Sequence, residues 1–179
     1  MKVLIILYDG FTEYEYAIPV MALHYYQVPF EVVGLNHTEI IGGTGLRAIT
    51  TRTVSQVDAE QYDALLLPGI DREKRDQVLH DESLISLIQE FDRANKIIAA
   101  VCAAPVILGA AGVLQGRRFC SDVRSHPAFA GGIRSSEPAV RDGHILTGLG
   151  ARIFHFTALL LETLIGDEKA AEYRRWAGI

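Results

Sequence analysis

The chain has 179 residues, a formal net charge of −5 and two cysteines. That length suits one domain, residues 1–179, with a core that needs neither a disulfide nor a metal to stand. Negative charge spread without long runs argues against nucleic acid or anionic membranes as partners. No apolar run reaches the ~18 residues of a membrane helix, and the run after Lys2 stops at Asp9-Gly10, too early for a signal peptide. Two cysteines without paired spacing suit a reducing compartment, the cytosol or cytoplasm.

In chain order, Val3 to Leu7 is the first of three runs that are apolar throughout; the others are Ala64 to Leu67 and Ile97 to Val101. Strands that do not alternate with polar residues are covered on both faces, as in a parallel sheet between helices. Each run ends abruptly, at Asp9-Gly10, at Pro68-Gly69 and at Cys102. Helical patterns follow each: Thr12 to Tyr26, Glu82 to Ala94 with Asp81 as N-cap, and Ala103 to Gly112 with Pro105 in its first turn. Shorter strands are predicted at Glu31 to Gly34, Arg117 to Cys120 and His144 to Thr147, the last after a hairpin-like Asp142-Gly143. Gly42-Gly43-Thr44-Gly45 reads as a turn between short strands. Ala151 to Ile165 is an apolar helix, and Asp167 to Trp176 a charged surface helix. The sum is an α/β, doubly wound sandwich. Ligands bind such folds outside the carboxyl ends of the strands. The segment Asp9 to Glu15, the pair Gly69-Ile70, and Cys102 are therefore expected to converge.

Three residues carry candidate chemistry. Cys102 ends a strand and begins a helix, the arrangement of a nucleophile elbow, where the helix N-terminus would favour a thiolate and lower its pKa from roughly 8.5. Among Ala, Val and Ile it could equally be a small buried hydrophobe. Glu15 could reach Cys102, or it could close a capping box with Thr12; Glu13, in the first turn, suits a solvated helix start. His126, held extended by Pro127, could serve a thiol as base or proton shuttle, or be a packing residue. Cys120 reads as structural. No C-x-x-C, H-x-H or H-E-x-x-H spacing occurs, so no metal site is expected.

Together, K-V-L-I-I-L-Y-D-G-F-T-E-Y-E-Y-A-I-P-V, D-A-L-L-L-P-G, A-V-C-A-A-P-V-I-L-G-A-A-G-V-L, D-V-R-S-H-P and D-G-H-I-L-T-G-L-G-A-R-I-F-H-F-T-A-L-L-L-E resemble the DJ-1/PfpI superfamily over nearly the whole chain. The resemblance implies a flavodoxin-like fold with a mostly parallel sheet sandwiched by helices, and a homodimer. It also implies a reactive Cys102 in a strained conformation, with a protonated Glu15 beside it and His126 as the third member. Gly69, Ile70 and Ala103 would bind an oxyanion, and Arg47 and Arg152 would face an anionic substrate, Arg47 across the dimer.

Cys102-Ala103 differs from the C-H-G of PfpI-type peptidases and from the C-T of isonitrile hydratases. C-A-A-P is most similar to the DJ-1-like branch. Two departures stand out: Ile70 where a second glycine is usual, its side chain expected to narrow the pocket, and Gly150-Ala151-Arg152 near the end. The implied function is a cofactor-independent enzyme on small reactive carbonyls, glyoxalase- or deglycase-like, turning methylglyoxal into lactate. The alternatives are a redox sensor or stress-response protein working through oxidation of Cys102, and a related small-molecule hydrolase or hydratase.

Overall fold

The computed structural model describes residues 1–179. Ten strands and six helices succeed one another as β1 (Val3–Leu7), α1 (Glu13–Tyr25), β2 (Phe30–Gly34), β3 (Glu39–Ile41), β4 (Arg47–Ile49), β5 (Ala64–Leu67), α2 (Arg72–Val78), α3 (Glu82–Arg93), β6 (Ile97–Val101), α4 (Pro105–Ala110), β7 (Arg118–Phe119), β8 (Ile133–Arg134), β9 (Ala139–Asp142), β10 (Ile145–Gly148), α5 (Ile153–Ile165) and α6 (Asp167–Ala177). The main sheet runs β2-β1-β5-β6-β10-β9. Its first five strands are parallel, and only β9 at the edge runs antiparallel, against β10. This is the flavodoxin-like α/β arrangement that the apolar strands demand.

Those strands are apolar throughout because each serves two cores. Leu4, Ile6, Leu65, Leu67, Ile98 and Ala100 face one side, where Leu84, Ile88 and Phe91 of α3 and Val106 to Leu108 of α4 cover them. Val3, Ile5, Ala64, Leu66, Ala99 and Val101 face the other, beneath Leu23 of α1 and Phe156 and Leu160 of α5. Period-2 alternation thus sorts side chains between two apolar layers instead of between core and solvent. No helix is long and apolar enough to cross a membrane.

Two small pairs lie outside the main sheet. The hairpin β3–β4 turns at residues 42–46, where Gly42 N–H donates to the Leu46 carbonyl at 2.8 Å. Glu13 at the start of α1 ties this hairpin down by accepting from both the N–H and the hydroxyl of Thr44. The parallel pair β7–β8 flanks the carboxyl end of the sheet.

Candidate active site

Cys102 follows the last residue of β6 and has φ of 62°. Side chains other than glycine, asparagine and aspartate rarely adopt this left-handed conformation, which costs on the order of 1–3 kcal/mol. Three hydrogen bonds hold it there. Cys102 N–H donates to the Gly148 carbonyl at 2.8 Å. Its own carbonyl accepts from Asp122 N–H at 3.0 Å and from Ser121 Oγ at 2.6 Å. The strand-to-helix turn thereby lifts the half-buried thiol above the sheet edge.

The segments expected to converge do so. Thr12 N–H donates to the Gly69 carbonyl at 2.9 Å, and Phe11 bridges Ile70. Glu15 is fully buried, and its Oε2 accepts from Gly69 N–H at 3.0 Å. The capping-box alternative is not what forms, because Thr12 makes no side-chain cap. A Cβ added at Gly69 would come within 2.0 Å of Glu15 Oε2 and 2.9 Å of Cys102 Cβ. One at Gly150 would meet Glu15 Oε1 at 2.1 Å, and Asp122 Oδ2 and Cys102 Cβ at 3.1 Å. Glycine at both positions lets the backbone close around the thiol and the buried acid.

Glu15 Oε1 has no hydrogen-bond partner in the chain. Burial raises the Glu15 pKa; the nearby Tyr14 phenol and Cys102 thiol pull the other way. An unpartnered buried carboxyl oxygen is costly as an anion and far less so as an acid with a proton to give. The Tyr8 hydroxyl, under the site, donates to the Pro68 carbonyl.

The thiol behaves opposite to the sequence expectation. Burial is the first cause pushing its pKa up, and negative charge on Asp122, or on Glu15 when ionised, adds to it. Helix α4 begins only at Pro105 and is six residues long, so its dipole is small beside these effects. Both carboxyl groups and the Cys102 Cβ crowd the same space beside Gly150, which places the acids next to the thiol.

Asp122 is the residue that sequence reasoning missed. It accepts from Gly150 N–H at 2.6 Å, and its N–H donates to the Cys102 carbonyl. His126, extended at φ −156° and ψ 143°, caps the turn Pro127–Phe129, with Nδ1 accepting from Ala128 N–H at 3.2 Å. It makes no hydrogen bond to Cys102, Glu15 or Asp122. A signal for Asp122 existed in its place just past β7, at the carboxyl end of the sheet.

The Ile70 side chain is 4% exposed and belongs to the core on the α3–α4 side of the sheet, rather than standing out into an opening as expected. The N–H groups of Ile70 and Ala103 donate to no acceptor in the chain, while Gly69 N–H is taken by Glu15. Arg47 is spent on an ion pair with Glu39 across the hairpin, and Arg152 is exposed without an ion pair. No three His, Cys, Asp or Glu side chains cluster as metal ligands would.

A flavodoxin-like sheet carrying a left-handed cysteine at a strand-to-helix elbow, with a buried carboxyl against it, defines a class of α/β proteins built around one thiol. The DJ-1/PfpI family model matches residues 1–163, and the chain belongs to that family. Protein dj-1beta of Drosophila melanogaster is 27% identical over 174 residues, covering 94% of this chain and 92% of the relative. A deglycase of Thermococcus kodakarensis is 31% identical over 123 residues, covering 69% and 73%. The crystal structure of a C103A mutant of a DJ-1 superfamily protein from Salmonella typhimurium superposes with a TM-score of 0.86 at 25% identity, covering 98% of this chain and 97% of that one.

Proposed function

We propose that this chain is a cysteine-dependent enzyme acting on small reactive carbonyls, and specifically a glutathione-independent glyoxalase that converts methylglyoxal to lactate. The supporting observation is the juxtaposition of the Cys102 thiol with the orphaned Glu15 Oε1 and the unengaged N–H groups of Ile70 and Ala103. The similarity to a deglycase points to the same substrate class.

In the reaction, sulfur bonds to the aldehyde carbon and the carbonyl electron pair moves onto oxygen. Ile70 and Ala103 N–H groups hold that oxyanion until it takes a proton, giving a hemithioacetal. Glu15 gives that proton. The carboxylate left behind takes the C1 proton and delivers it to C2 while the hydroxyl proton passes from the C1 oxygen to the C2 oxygen, a transfer worth roughly 10²–10⁴-fold when the group is well placed. The proton the thiol gave up restores the acid. The product is a lactoyl thioester on Cys102. Water cleaves the C–S bond, releasing lactate and restoring the thiol. The balance closes with water as the only co-reactant.

The test is lactate formed from methylglyoxal without glutathione. Turnover in the wild type and its loss in Cys102→Ser are expected. Full activity in the variant would sink the reading.

A second reading uses the same orphaned oxygen. Cys102 oxidised to a sulfinate would accept a hydrogen bond from protonated Glu15, making the site a redox sensor. Two unpaired cysteines fit a cytoplasmic setting for either role. The partner expected from the family is a second copy of this chain. The exposed Met21 and Tyr25 of α1, beside an apolar groove shared with Phe154 and Trp176, suit such a contact. Light scattering should return a dimer, and a monomer would remove the second copy from this reading.

A further inference from the structure

We infer that Tyr8 is a positioning residue for the acid of this site: its hydroxyl holds the Pro68–Gly69 peptide in the orientation that leaves the Glu15 proton on Oε1, beside the thiol. The inference rests on Glu15 as the acid proposed above, and it starts from a buried phenol that the mechanism leaves idle. Tyr8 follows β1, is 2% exposed, and spends its hydroxyl on the Pro68 carbonyl. A carbonyl oxygen only accepts, so the tyrosine donates.

The carbonyl of Pro68 and the N–H of Gly69 belong to one planar peptide unit and point in opposite directions. Tyr8 holds one end of that unit, and from the other end Gly69 N–H donates to Glu15 Oε2 at 3.0 Å. Turning the peptide over would break both bonds at once. Glycine has the backbone freedom to turn, yet no side chain fits there, since a Cβ would come within 2.0 Å of Glu15 Oε2. The restraint therefore has to come from a neighbour, and Tyr8 supplies it. A donor on the carbonyl also polarises the amide and strengthens its N–H, by roughly 10–30% per bond in such a chain.

Donation to Oε2 decides where the acid keeps its proton. The oxygen that accepts from the N–H is the carbonyl-like one of a protonated carboxyl, so the O–H is Oε1. Oε1 has no partner in the chain. A Cβ added at Gly150 would meet it at 2.1 Å and Cys102 Cβ at 3.1 Å, so the free proton stands on the side of the thiol. The titratable groups facing Glu15 are Tyr14 on α1, Tyr8 after β1, Cys102 after β6 and Asp122 past β7, and Oε1 bonds to none of them.

The test compares wild type, Tyr8→Phe and Tyr62→Phe as full chains. Phenylalanine keeps the ring and removes the hydroxyl alone. Tyr62 is the control, an equally buried tyrosine before β5, at the opposite end of the sheet, whose hydroxyl donates to Glu31 at 2.7 Å. The infrared absorption of the protonated Glu15 carboxyl, taken as a difference against Glu15→Gln, is followed from about pH 4 to 9, alongside kcat and KM for lactate formation. The Gly69 N–H bond favours the carboxylate form of Glu15, so weakening it in Tyr8→Phe should move the titration to higher pH. There kcat should fall roughly 10- to 100-fold with KM nearly unchanged, because the acid is misaimed while binding is untouched. Tyr62→Phe should move neither. A merely structural tyrosine would cost stability in both variants and leave the titration where it was. In the wild type, NMR should show the Gly69 amide proton and the Tyr8 hydroxyl proton shifting together with that titration, which decides the matter if Tyr8→Phe does not fold.

A Glu15 titration that stays put in Tyr8→Phe, or that moves equally in Tyr62→Phe, overturns the inference, and so does an unchanged kcat in Tyr8→Phe. A wild type that makes no lactate, yet whose Glu15 titration moves in Tyr8→Phe alone, removes the glyoxalase reading while supporting the chain from Tyr8 through the peptide to Glu15.

Discussion

Cys102 follows the central strand β6 and Cys120 follows β7 of the small outlying pair, and burial is the first cause raising the pKa of each. Their surroundings otherwise differ. Cys120 is fully buried; its N–H donates to Thr147 Oγ1 at 2.9 Å, and its sulfur lies 4.0 Å from the Pro138 carbonyl. Cys102 is half-buried, sits at positive φ, and has a carboxyl group on each side. The lesson is that thiol acidity does not separate the reactive cysteine from the structural one here. Access, backbone conformation and the presence of proton-transfer partners do.

The sharpest way to break this contrast is chemical modification. Under mild peroxide, Cys102 should gain two oxygens at least about 100-fold faster than Cys120, whose exposure requires local opening of the sheet edge. Mass spectrometry that finds both cysteines equally oxidised would erase the distinction and the redox reading with it.

A smaller effect sharpens the role of the acid beside Cys102. Glu15 has a pKa raised by folding, so the native state binds its proton more tightly than the unfolded chain does. Its favourable contribution is complete below the unfolded value of roughly 4.3 and is lost as pH rises through the folded value. Glu15→Gln, which keeps the shape and cannot ionise, should therefore gain stability relative to wild type as pH rises from about 4 to 8. Urea unfolding at the two ends reads this difference. A gap that stays constant with pH would mean that Glu15 is not held as an acid.

Much of the fold was legible because it rests on unbroken apolar runs. Val3–Leu7, Ala64–Leu67 and Ile97–Val101 are strands with the bounds the sequence predicts. The family fold expected from the motifs is the one found, with the DJ-1/PfpI model matching residues 1–163. Helix α2, R-E-K-R-D-Q-V, escaped notice because only Val78 of it is buried, which leaves no apolar stripe to read. Strand β9 was hidden for a similar reason: as an edge strand it buries Val140 alone.

At the site, the elbow at Cys102 and the convergence of Glu15 and Gly69 follow from strand ends, which sequence patterns mark. The third neighbour does not. A histidine before a proline is conspicuous, whereas an aspartate in S-D-V-R resembles any solvated loop. What distinguishes Asp122 is the bond to Gly150, 28 residues later, and no local pattern announces that. The thiol's environment was misread for a related reason, since the segments that bury it and the two acids beside it come from elsewhere in the chain.

The Arg134 guanidinium, which donates to the carbonyls of Ser121 and Val123 on either side of Asp122, has a consequence for heat. The thiol stands at the end of the central β6, braced by strands on both sides, while the segment carrying Asp122 hangs from the outlying β7–β8 pair and one guanidinium. Peripheral pairs of this kind open at lower free energy than central strands. Warming should therefore loosen that segment while the sheet is still whole, so local opening beside the thiol would precede melting and reverse on cooling.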